Sequence, residues 1–67
     1  MDCKAFGGKV LLRRKALRMT QEKLAELVGV SASYIGHLER GSRIPSVATV
    51  CALCRVLEVP SDYLLGL

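Results

Sequence analysis

The chain has 67 residues, with ten Lys and Arg against six Asp and Glu, and three cysteines. That length gives one small domain, near the lower limit of what a hydrophobic core holds together without metals or disulfides, and leaves no room for a second. The odd cysteine count argues against a disulfide framework, the apolar runs are far too short to cross a bilayer, and residues 1–10 lack the core of a signal peptide, so a cytoplasmic chain with reduced thiols is the default expectation.

The charge is uneven. Residues 1–18 carry six basic groups and one acid, whereas the remainder carries four basic groups and five acids. A basic amino-terminal segment beside a near-neutral remainder suits a protein that lays one edge along phosphate, with a plain solvated helix face as the alternative.

Five helices and no strand are expected. The first runs from Gly8 to Leu17, with Val10, Leu11, Arg14 and Leu17 sharing a face by three- and four-residue spacing. The second begins after Thr20, a good N-cap, and ends near Val28. Gly29 can take the positive φ of a sharp turn, and Val30 then plugs the core. Ser31 caps the third helix, Ala32 to about Arg40, which closes on Gly41 in the left-handed position. After the loop SRIP, Pro45 holds Ile44 extended and Ser46 caps a fourth helix that turns Val47, Val50, Leu53, Cys54 and Leu57 inward. Pro60 and Ser61 restart the chain for a short fifth helix, DYLL, before Gly66. The expected core is Val10, Leu17, Leu24, Ala25, Val28, Val30, Ile35, Leu38, Ile44, Val50, Leu53, Leu57, Val59 and Leu64.

The stretch QEKLAELVGVSASYIGHLER, residues 21–40, places small, glycine and apolar residues where two helices joined by a tight turn need them. It reads as a helix-turn-helix, with DNA as the leading partner. Arg40, Ser42 and Arg43, at and beyond the end of the third helix, can track a phosphate backbone and release counterions.

With RKALRMTQEKLAELVGVS, YIGHLERGSRIPS and LEVPSDYLLG in view, the chain resembles the phage repressor and Cro type of helix-turn-helix domain, the Xre family, over nearly its whole length. The resemblance implies an all-α, compact, five-helix lambda-repressor-like domain over residues 1–67, with the helix-turn-helix at about residues 20–40 and the third helix entering the major groove. It also implies that Gln21 contacts a phosphate, that Ala32, Ser33 and His37 reach base edges with Tyr34 beside them on a phosphate or a base, and that Arg14 and Glu39 form a partly buried ion pair. These readers are short: Ser33 can donate or accept, Ala32 can pack on a thymine methyl and His37 can bond a purine acceptor. No Arg, Asn or Gln offers bidentate pairing, so specificity is expected to lean on DNA shape and phosphate contacts.

Three departures from the family pattern stand out. Arg18 occupies a position where relatives usually carry glycine, at about 1 kcal/mol of strain if the turn stays left-handed. Arg13 takes a usually apolar place while Leu11 and Leu12 fall at polar ones, which implies a rotated first helix or an exposed leucine. Gly36 weakens the third helix by about 1 kcal/mol relative to alanine, or lets the backbone approach DNA.

Cys51 and Cys54 form a CxxC within the fourth helix. Zinc needs four ligands, with only Cys3 and His37 left to complete the set, and reactive thiols sit at helix starts, so the pair reads as structural and no metal or other cofactor is expected. The outer side of that helix, Ala48, Cys51, Ala52 and Arg55, joins Leu65 and Leu67 in a surface suited to a homodimer that reads a palindromic operator. The expected function is a sequence-specific transcriptional regulator, a repressor, with no membrane or small-molecule partner. The alternatives are an antitoxin-like or accessory protein-interaction module and a thiol or metal sensor. No catalytic constellation is expected from so small a helical bundle, so the chain does not read as an enzyme.

Overall fold

A computed structural model describes residues 1–67 as five helices: α1 (Cys3–Ala16), α2 (Gln21–Val28), α3 (Ala32–Arg40), α4 (Val47–Leu57) and α5 (Ser61–Leu65). The side chains of Asp2, Thr20, Ser31 and Ser46 each accept a hydrogen bond from the backbone N–H three residues on, which satisfies a donor that the first helical turn leaves unpaired. Gly29 and Gly41 close α2 and α3 with φ of 87° and 77°. Three of these four caps, and both glycines, lie where the sequence places them.

Helix α1 starts five residues before the expected Gly8, because Asp2 caps it and Gly7 and Gly8 lie in its interior. Gly7 is there for the packing of α1 on α3. A Cβ at Gly7 would stand 2.0 Å from the carbonyl oxygen of Leu38, so only a hydrogen lets the two helices approach this closely. Phe6, absent from the expected core, is 1% exposed, and its omission follows from starting the helix too late.

Phe6, Val10, Leu24, Ala25, Ile35, Leu38, Val50, Leu53, Leu57 and Leu64 form the core. Leu17, Val28, Val30 and Val59, also expected inside, are half-buried and pack against it. Two expectations fail. Ile44 is 76% exposed and Val47 81% exposed. Pro45 keeps the loop extended over the surface, and the first turn of α4 borders an open groove rather than the core, so the inward stripe of α4 begins at Thr49 and Val50.

The strained turn after α1 is real: Arg18 has φ of 59°. Leu12 is the exposed leucine that the departures implied, at 67%. Arg13 instead donates its Nε–H to the carbonyl of Leu57 at 2.8 Å, at the end of α4. Beyond it, Glu58 closes α4 with a positive φ of 58°, a position the sequence did not mark.

Candidate nucleic-acid interface

Ile35 and Leu38 of α3 are sealed in the core, and Glu39 is also buried on that side. At 100° per residue, Ser33 and His37 then fall in the middle of the opposite side, with Ala32, Gly36 and Arg40 on one flank and Tyr34 on the other. Ser33 and Arg40 are exposed, while Ala32, Tyr34 and His37 are half-buried. Ala32 and Tyr34 also pack against the core, which fixes their direction. On Tyr34's flank, the Arg43 guanidinium lies 5.6 Å from the centre of the tyrosine ring, a cation–π contact that ties the loop after α3 to the helix.

Ser42 is committed within α3's closing turn. Its hydroxyl donates to the carbonyl of His37 at 3.1 Å and lies 3.1 Å from His37 Nδ1. The role of Nδ1 follows the ring's tautomer: the Nδ1–H form donates to the Ser42 hydroxyl, and the Nε2–H form leaves Nδ1 to accept. Arg40 lies 3.4 Å from the same nitrogen, a bond it can donate only to the Nε2–H form. Toward a base edge Nε2 is a donor or an acceptor according to that tautomer.

The Arg14–Glu39 pair forms beneath this surface. Arg14 donates to Glu39 from Nε at 2.6 Å and from the second guanidinium nitrogen at 3.1 Å, and its remaining nitrogen donates to the carbonyl of Met19 at 2.9 Å. Both residues are buried. Gln21 adds a bond from Nε2 to the same carboxylate at 2.9 Å. The pair thus joins α1, the turn after it, the start of α2 and the end of α3, which sets the angle between the two helices of the motif. One N–H of the Gln21 amide is used here and the other remains.

The basic amino-terminal segment differs from its expected role. Lys9 donates to the carbonyl of Tyr63 at 2.9 Å and lies 5.2 Å from that ring's centre, Arg13 holds Leu57, and Arg14 holds Glu39 and Met19. Half of the six cationic groups therefore fasten helix ends and the buried pair, and Lys4, Lys15 and Arg18 are the exposed ones. Net charge alone could not separate the two sets.

On α4, Cys51 is exposed and Cys54 half-buried. Burial, aided by the neighbouring Cys51 and Asp62, pushes the Cys54 thiol above its ordinary pKa, the reverse of what a reactive cysteine needs. Ala48, Arg55, Leu65 and Leu67 are exposed as expected and Ala52 is half-buried. Sequence reasoning missed Met1 and Val47, which extend this face. Met1 and Val47 help line a groove of about 380 Å³ beside Cys51 and Leu65.

The helix-turn-helix family model matches residues 10–64. This chain belongs to that family, in its phage-repressor type. The helix-turn-helix protein is 36% identical over 64 residues to YazB of Bacillus subtilis, an uncharacterised HTH-type transcriptional regulator, covering 96% of this chain and 93% of YazB. It spans between 30% and 53% of the length of three further relatives. Among solved structures, the restriction-modification controller protein C.AhdI from Aeromonas hydrophila superposes with a TM-score of 0.88 at 35% identity, over 94% of this chain and 96% of that one. The P22 c2 repressor in complex with a synthetic operator superposes with a TM-score of 0.86 at 36% identity, over 88% of this chain and 89% of that one. No helix is long and apolar enough to cross a membrane.

Proposed function

We propose that this helix-turn-helix protein is a sequence-specific DNA-binding regulator of transcription, a repressor, that acts in the cytoplasm as a homodimer on a palindromic operator and needs no cofactor. We read residues 1–67 as one DNA-binding domain. The observation that carries this reading is α3 itself. Its apolar side is locked in the core, and its free side presents Ser33 and His37 between cationic flanks at Arg40 and Arg43. Ala32, Ser33 and His37 would meet base edges, while Gln21, Tyr34, Arg40, Ser42 and Arg43 would meet the backbone.

The dimer follows from dimensions as well as from the apolar face on α4 and α5. The domain measures 27 × 22 × 20 Å, so one copy does not reach two half-sites separated by a turn of DNA, about 34 Å. A pair joined through Ala48, Cys51, Ala52, Arg55, Leu65 and Leu67 would have the length to do so. The same face would also serve an accessory module that binds a protein partner, and the two readings differ in salt response, because only phosphate binding weakens steeply with added salt.

The deciding experiment is selection of bound sequences from a random duplex pool at near-physiological salt. Enrichment of a palindrome with half-sites one turn apart is the expected result. No enriched sequence would overturn the reading in favour of a protein partner.

A further inference from the structure

Gly36 sits in the middle of α3 and is buried, yet beyond the helix's own backbone the atoms nearest the place where its Cβ would be are not those of the core. They are the side-chain tips of Arg40, at 3.2 Å and 3.8 Å, and the Gln21 amide nitrogen, at 3.6 Å. A guanidinium and an amide thus converge over a bare stretch of helix. The nitrogens that meet there are all donors and do not satisfy one another. Apart from the approach to His37, the Arg40 guanidinium has no hydrogen-bonding partner in the protein, and Gln21 Nε2 keeps one N–H free after bonding Glu39. The Glu39 carboxylate is already neutralised by Arg14, so it does not cancel the positive potential.

We propose that Gly36 is a positioning residue: by lacking a side chain it lets Arg40 fold back over α3 and stand beside Gln21, and the two together grip one DNA phosphate. Two donors arriving from different helices match the two non-bridging oxygens of a phosphodiester, and a guanidinium is suited to that geometry. The open space at Gly36 is therefore filled by the clamp rather than by approaching DNA. A glycine here weakens the helix, and the position of Arg40 is what the helix gains in exchange. The proposal rests on the DNA-binding reading and adds to it the source of the clamp's geometry.

The test is a double-mutant cycle on the whole chain, with a mixed-sequence duplex as probe at low salt, about 50 mM. Arg40→Ala should weaken binding about fivefold and reduce the salt slope by about one. Gly36→Ala should raise the thermal midpoint, because alanine is the better helix former, and yet weaken binding by displacing the Arg40 tip, by less than Arg40→Ala does. In the double variant the glycine change should add nothing further. Wild-type binding by Gly36→Ala overturns the proposal, as do multiplying effects in the double variant, which would mean that the methyl group meets the DNA directly. A lowered midpoint overturns it too, since the methyl group would then be disturbing the fold. If the wild-type chain binds no duplex, the DNA-binding reading fails first and this inference falls with it.

Discussion

Replacing Glu39 with alanine should remove a large part of the protein's stability. The change removes the acceptor of three hydrogen bonds, at 2.6, 2.9 and 3.1 Å, and leaves the Arg14 guanidinium buried with only the carbonyl of Met19 as partner. Stranding one member of a buried pair costs about 3–5 kcal/mol, because a charge that cannot return to water has lost its counter-charge. A chain of this size is stable by only about 3–10 kcal/mol in total. The thermal midpoint followed by circular dichroism should therefore fall by at least about 12 °C, and the urea midpoint should fall with little change in slope. Replacing both partners with methionine should cost far less than the sum of the single changes, since no buried charge remains. A loss under about 1 kcal/mol for Glu39→Ala, or additive single effects, would refute the claim that the pair is buried and coupled.

Gly7→Ala forces a methyl group to within 2.0 Å of the Leu38 carbonyl oxygen, so α1 and α3 must separate at a cost of about 3 kcal/mol, read as a lower urea midpoint. Arg18→Gly should relieve the left-handed strain and raise stability by about 1 kcal/mol, measured the same way. Arg13→Met removes the bond to Leu57 and should lower stability by about 1 kcal/mol while leaving duplex affinity in a gel-shift titration unchanged. Arg43→Ala should weaken that affinity evenly on all sequences, and His37→Ala should change base preference in a selection assay.

The local signals were legible because they act over a few residues. Thr20, Ser31 and Ser46 cap the N–H three positions on, and Gly29 and Gly41 take φ values that cost other residues energy, so the helix-turn-helix and the exposed side of α3 were readable without coordinates. The pairing of Arg14 with Glu39 came from family resemblance, since nothing local joins residues 25 positions apart. The site was legible in its members but less so in their commitments: Ser42 holds the His37 turn, and Gln21 divides its amide between Glu39 and solvent.

What remained belonged to contacts between distant segments. The first helix was expected to begin at Gly8, and only the approach of α3 shows why Gly7 lies within α1. Ile44 and Val47 looked internal by composition and spacing, but a helical stripe is buried only where another element stands against it. Lys9 and Arg13 looked like phosphate-binding charge until the ends of α4 and α5 were seen beneath them. The sequence by itself determined the caps, the turns and the motif, which depend on the backbone's own stereochemistry. Which cations face DNA and which hold the bundle together was decided by tertiary packing, because a charge's role depends on the partner that the fold brings within 3 Å of it.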